Sequence, residues 1–254
     1  MRACLAQLAP AGGVPANVER AAQLVKTQRA ADLIVFPELF LCGYDLARAA
    51  ERAIGPDDEL LAPLRAAAAA TATVVLAGFA ERRAGAVANS LLCIDERGAT
   101  AALYRKLALF GGEVGVFAPG ESVCVVDVAG TAVGVMLCFD VEFPEIARAL
   151  ASAGADVIVT ASANMAPYFD DHLLATRARA LDNRRPHLYV NRVGGEAGLR
   201  FVGGTRHIAA DGTVVDEIGG DGEGTLTASV GRAAVPDRVD YVNLARRLPV
   251  RISW

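Results

Sequence analysis

Three stretches of this chain set a reactive side chain at the end of an apolar run. In GVMLCFDVEFPE, from Gly134 to Glu145, the run ends at Cys138, and Asp140, Glu142 and Glu145 follow. In IVFPELFLCGY, from Ile34 to Tyr44, Glu38 comes after an apolar strand pattern and a proline. In LYRKLALF, from Leu103 to Phe110, Lys106 leaves a strand and enters another apolar segment. A free thiol is only a few per cent ionised near neutrality, so a nucleophilic cysteine needs a base or a cation beside it. A glutamate in apolar company is partly desolvated, which raises its pKa toward the range useful for a base. Histidine is the commoner partner, but His172, His187 and His207 all lie far downstream of Cys138, and only folding decides whether they return to it. Thiol, carboxylate and ammonium together supply what covalent acyl transfer requires. Each also has a plainer reading. Glu38 can turn outward or cap a short helix, Lys106 can be a solvated surface lysine, and a buried cysteine can be simply a small hydrophobe.

The elements that must position these groups follow from periodicity. Strands are expected over Arg2–Leu8, Asp32–Phe36, Thr73–Glu81, Ala86–Asp95, Thr100–Arg105, Ser122–Val128, Thr131–Phe139 and Asp156–Ser162. Helices are expected over Val14–Ala30, Asp58–Ala70, from Pro144 to a glycine cap at Gly154, and over Tyr168–Asn183. Ala129-Gly130 reads as the turn between two strands, and the remainder as strands with Gly-rich turns. ADLIV from Ala31 and ADVIV from Ala155 each follow a helix and open a strand, which fits two similar α/β halves. No linker separates those halves, so residues 1–254 read as one α/β domain with helices covering sheet faces.

Bulk properties exclude several classes. With 53% of residues hydrophobic, the chain has ample material for a core, and disorder is not expected. The net charge of −4 and the absence of a basic run argue against a nucleic-acid partner. The start lacks an apolar core of signal-peptide length, and the weakly polar run Ala66–Ala80 is too short to span a bilayer, so no membrane association is expected. Five scattered cysteines point to free thiols in a reducing compartment, hence a cytoplasmic protein. No C-x-x-C or H-x-x-x-H spacing occurs, so no metal or other cofactor is expected. Cys4, Cys93 and Cys124 read as core, and Cys42 as a packed thiol. The acidic stretch GGDGEG from Gly219 reads as a solvent-facing hairpin turn, since no helix pattern follows to bind a phosphate.

FPELFLCGY around Glu38, YRKLALFGGEVGVFAPG around Lys106 and the GVMLCFDVEFPE stretch around Cys138 agree in order and spacing with one family. The chain resembles the nitrilase superfamily of carbon–nitrogen hydrolases, and the likeness continues through LDNRRPHLYVNRVG and FVGGTRHIAADG. The resemblance implies a four-layer α-β-β-α sandwich that pairs with a second copy into a longer stack. It also implies a triad in which Glu38 is the base, Cys138 the nucleophile, and Lys106 with the Phe139 N–H the oxyanion donors. Glu113 matches a second glutamate of the family, with the role of orienting Lys106 or the substrate amide. Tyr44, Asn164 and Tyr168 fall where family substrates bind. Two departures are visible: Lys106-Leu-Ala-Leu-Phe lacks the histidine common after the lysine, and Phe139 stands where tyrosine is common. Among the family's branches, the GGEVGVFAPGE and CFDVEFPE versions look most like small-amide hydrolases. N-carbamoyl hydrolysis and nitrilase activity stand behind that reading, and a catalytically silent binding protein on the same fold is the alternative from a different class. A glutamine-fed ligase is not expected without a synthetase domain, nor a lipoprotein acyltransferase without membrane spans. The expected partners are a small amide, water and a second copy of the chain, with the C-terminal tail Tyr241–Trp254 offering Val242, Leu244, Leu248, Val250, Ile252 and Trp254 to that copy.

Overall fold

Alternation with period two decides which face of each strand meets which layer. The structure is a computed structural model that describes residues 1–220, 222–231 and 241–246. The first part of the chain forms β1 (Arg2–Gln7), α1 (Val14–Thr27), β2 (Leu33–Val35), α2 (Ala49–Arg52), α3 (Ala62–Thr71), β3 (Val74–Arg83), β4 (Ala86–Ile94) and β5 (Thr100–Arg105). The second part forms β6 (Cys124–Val128), β7 (Thr131–Leu137), α4 (Pro144–Ser152), β8 (Val157–Ser162), α5 (Phe169–Asn183) and β9 (His187–Asn191). There follow β10 (Val193–Glu196), β11 (Leu199–Val202), β12 (Thr205–Ile208), β13 (Val214–Ile218), β14 (Gly224–Ser229) and α6 (Tyr241–Ala245). Residues 247–254, which hold Leu248, Val250, Ile252 and Trp254, lie outside the described residues, as does Asp221.

Two six-stranded sheets result, in the orders β14-β1-β2-β3-β4-β5 and β13-β12-β9-β8-β7-β6. In each, three parallel strands (β1, β2, β3 and β7, β8, β9) are flanked by antiparallel ones. Leu33 and Val35 of β2, Val74 and Leu76 of β3, Val133, Val135 and Leu137 of β7, and Val157 and Val159 of β8 fill the space between the sheets. Their alternate neighbours face helices. Ile34, Val75 and Ala77 pack on α1 and α3, while Met136 and Ile158 pack on α4 and α5. The layers are therefore α-β-β-α. The ADLIV and ADVIV segments run into β2 and β8, the central parallel strands of the two halves, so the short repeat marks equivalent positions.

Three expectations need correction. β7 ends at Leu137, two residues before the expected end at Phe139, because Cys138 turns out of the strand with φ of +44°. The GGDGEG stretch is not a hairpin. It links β13 at the edge of one sheet to β14 at the edge of the other, since β14 pairs with β1 and not with β13. Cys124 is only half-buried, on the edge strand β6, while Cys4 and Cys93 are core as expected.

Two local devices fix the strand ends that matter. The Glu38 turn passes directly over Gly78 of β3, whose carbonyl accepts the Leu41 N–H at 3.0 Å. A Cβ at residue 78 would collide with the backbone of Pro37, Glu38 and Leu39, so only glycine admits this approach. The second device is the fully buried Asp140. Its Oδ2 accepts the Tyr104 hydroxyl at 2.6 Å and the Leu137 N–H at 3.0 Å, and its Oδ1 accepts the Ala108 N–H at 2.8 Å and the Leu107 N–H at 3.2 Å. One carboxylate thus ties the turn after β7 to the chain leaving β5. Of the acids after Cys138, Asp140 thus serves the scaffold.

The Gly78 contact gives a direct test. Gly78→Ala should lower stability by roughly 1–3 kcal/mol, the usual cost of overpacking, and should also depress catalysis by displacing Glu38. Thermal unfolding alongside turnover checks both, and a variant with wild-type Tm and rate would show that the backbone yields without consequence.

Candidate active site

Glu38, Lys106 and Cys138 leave the carboxyl ends of β2, β5 and β7, the edge at which open α/β sheets commonly build their sites. The Lys106 ammonium, 1% exposed as a residue, meets Glu38 Oε1 at 2.7 Å and Glu113 at 2.9 Å (Oε1) and 2.8 Å (Oε2). Glu38 Oε1 also accepts Asn89 Nδ2 at 2.7 Å, and its Oε2 accepts the Ala163 N–H at 2.9 Å. Glu113 accepts the Tyr44 hydroxyl at 2.8 Å, the Phe110 N–H at 2.9 Å and Asn89 Nδ2 at 3.3 Å. Its oxygens are fully engaged. Of the two roles the resemblance left to Glu113, orienting Lys106 is the one these contacts support.

Burial works against the Lys106 charge, but Glu38, Cys138 and Glu113 outweigh it and hold its pKa well above the ordinary value. Burial, with Glu38 adding to it, raises Glu113 despite the opposing pull of Lys106. Cys138 is raised by burial first and by Glu38 second, while Lys106 and a hydrogen bond with Ser162 act the other way. The thiol therefore rests protonated, within electrostatic reach of Glu38, Lys106 and Glu113. The three ammonium protons of Lys106 thus meet three carboxylate oxygens within 2.9 Å, one of Glu38 and two of Glu113.

Tyr44, Phe110, Cys138, Phe139, Asn164 and Tyr168 line one cavity, with Met165 and His172 beside them. Its free space is about 20 Å³, room for a single water. At its mouth the rings of Phe143, Phe139, Phe110 and Tyr168 meet in edge-to-face pairs with centroids 5.1–5.2 Å apart. Asn164, buried, sends its side chain to the Tyr168 carbonyl at 3.1 Å. The eight candidate site residues, Glu38, Tyr44, Lys106, Glu113, Cys138, Phe139, Asn164 and Tyr168, thus all reach this neighbourhood. Asn89, which donates to both glutamates, was not singled out. The signal was a polar Asn89-Ser90 pair inside an otherwise apolar strand. Cys42 is packed as expected, between the Arg52 carbonyl and the Ala80 N–H at 3.3 Å each.

The model of the carbon–nitrogen hydrolase family matches residues 2–237. An (R)-stereoselective amidase from a Pseudomonas species is 39% identical over 87% of this chain and 82% of its own length. A nitrilase from Pyrococcus abyssi is 38% identical over 74% of this chain and 72% of its own. Among solved structures, a variant of the amidase from Nesterenkonia sp. AN1, in which acrylamide has added to the active-site cysteine, superposes with a TM-score of 0.82. The two share 27% identity over 97% of this chain and 98% of that one. With its motifs, its layers and these relatives in agreement, the chain belongs to the carbon–nitrogen hydrolase family.

Proposed function

We propose that this enzyme is a cysteine-dependent amidase that releases ammonia from small primary amides through a thioester on Cys138. The observation that carries the reading is the burial of a carboxylate and an ammonium 2.7 Å apart beside a thiol at a strand end. Glu38 takes the thiol proton as sulfur attacks the amide carbon. The Lys106 ammonium and the Phe139 N–H receive the oxyanion. Glu38 then protonates the nitrogen, ammonia leaves, and a water deprotonated by Glu38 cleaves the thioester, which returns the thiol and frees the acid. The relatives named as amidases support this branch. The nitrilase relative keeps nitriles as the second reading.

We also propose that the protein forms a homodimer in a reducing compartment. Leu174 and Leu181 of α5, seven residues apart on one face, are 72% and 42% exposed, and Leu244 of α6 is 51% exposed. All five cysteines are free. Among the described residues no helix is long and apolar enough to cross a membrane.

Four measurements test these readings. Iodoacetamide should abolish ammonia release by modifying Cys138, and Cys138→Ala should lose roughly 10³-fold or more in kcat; complete inactivation with Cys138 unmodified by peptide mapping would reassign the nucleophile. Glu113→Gln should stay folded by circular dichroism yet fall roughly 10²–10³-fold in amide hydrolysis, the usual scale for one oriented electrostatic group. Primary amides should be turned over faster than matched nitriles, and the reverse order would move the enzyme to the nitrilase branch. Light scattering should give a dimer at micromolar concentration, a result that a stable monomer would contradict.

A further inference from the structure

Glu38 and Glu113 engage their oxygens with Lys106, Asn89, Tyr44 and backbone N–H groups, and Asp140 engages its own with the scaffold. One more acid lines the Cys138 cavity: Glu142, at the end of the short turn Cys138–Glu142. Arg179 of α5 pins that turn, with Nε donating to the Val141 carbonyl at 3.0 Å and Nη2 to the Glu142 carbonyl at 3.1 Å. Its guanidinium is paired in turn with Asp182 at 3.1 Å. The Glu142 carboxylate, by contrast, accepts no hydrogen bond from any described residue. His172 Nε2 stands 3.5 Å from its Oε1, and the side chain is 31% exposed. A carboxylate has about four lone-pair sites, so whichever tautomer His172 adopts, at most one is occupied by it. Among the described residues, no lysine or arginine lines the cavity.

We propose that Glu142 selects the substrate, so that the enzyme prefers primary amides whose acyl group carries a protonated amine. The ammonium sits between the Glu142 carboxylate and the aromatic rings at the mouth. The proposal rests on the amidase reading above and narrows it. The free space beside Cys138, about 20 Å³, holds no more than the reacting group. The rest of a substrate therefore lies against Glu142 and the rings of Phe110, Phe139, Phe143 and Tyr168. An ammonium there gains a charge-assisted hydrogen bond to the carboxylate and the attraction of the ring faces. The local field acts in the same direction. Glu38 and Glu113 around Lys106 leave one negative charge in excess, Glu142 adds another, and the charge of Arg179 is offset by Asp182. A substrate carboxylate would be repelled by both. Because the backbone of Glu142 is fixed while its carboxylate is unpartnered, an ammonium binds without breaking an existing hydrogen bond, which keeps the cost of recognition low.

β-Alaninamide, butanamide and succinamate share one chain length and differ at the far end in charge. Ammonia release should give a kcat/KM about 10-fold or more higher for β-alaninamide than for butanamide, the scale of one hydrogen bond to a charged group, with succinamate lowest. Added salt should shrink that ratio. Glu142→Gln should reduce it by about the same 10-fold, and Glu142→Lys should move succinamate ahead of β-alaninamide. A purely structural Glu142 would change all three substrates together and leave the ratio as it was. Equal turnover of β-alaninamide and butanamide by the wild type overturns the proposal, whether or not the variants fold, and leaves the amidase reading intact. A second measurement needs no turnover. Cys138 is alkylated by bromoethylammonium or by iodoacetate, read by peptide mapping, and each rate is divided by that reagent's rate with a small free thiol. The cationic reagent should lead the anionic one about 10-fold or more in the wild type, and by less in Glu142→Gln. If no amide releases ammonia, the proposed reaction fails and the alkylation order alone decides, with equal normalised rates overturning the role of Glu142.

Discussion

One ammonium between two carboxylates governs this molecule. Lys106 is buried with Glu38 and Glu113 against it, at 2.7 and 2.8 Å. Taking such charges out of water costs several kcal/mol per ion, and only close pairing with further hydrogen bonds offsets it. Two carboxylates on one ammonium leave an excess of one negative charge, and the surrounding donors meet it: Asn89, the Tyr44 hydroxyl, and the backbone N–H groups of Ala163 and Phe110. These come from both sheets and from the loops between them. The position of the strands is thus tied to the satisfaction of one ion cluster, and loosening any contributor leaves a buried charge short of partners.

That cluster also explains why a thiol can work beside acids. The excess negative charge and the dry setting oppose a standing thiolate, so Cys138 rests as the thiol, and Glu38 is its base only in the proposed reaction. In the proposed reaction ionisation is deferred to the moment of attack, when the carboxylate gains the proton and the charge moves to an oxyanion near Lys106. The φ of +44° at Cys138 belongs to the same economy of space. Turning the chain there brings the sulfur out of the strand toward the two groups, and the Asp140 bonds hold the turn in place.

Much of this was legible in the residues. Strand boundaries at Thr100–Arg105 and the helix starting at Pro144 follow from pattern and proline placement, and they occur as expected. Cys138, Glu38 and Lys106 were conspicuous because each broke an apolar run. Their convergence was not legible from spacing, and it was the family motifs that joined them. Asn89 and Ser162 escaped notice, and Asp140 was seen without its task, because a buried polar residue shows its purpose only through partners distant in sequence, such as Tyr104 for Asp140 or Tyr189 for Ser162. The GGDGEG stretch misled for the opposite reason. Glycines announce a turn but not which strands it joins, and here tertiary pairing sent β14 across to β1.

That pairing has a consequence for the chain as it is made. β1 is translated before every other strand described, yet Arg2 finds its antiparallel partner only in Ser229. At 5–20 residues per second, the interval is on the order of 10–45 s. Through that time the outer edge of β1 presents unpaired backbone groups, the feature that invites pairing with other chains. The nascent protein thus carries an open seam along β1 until β14 emerges to close it.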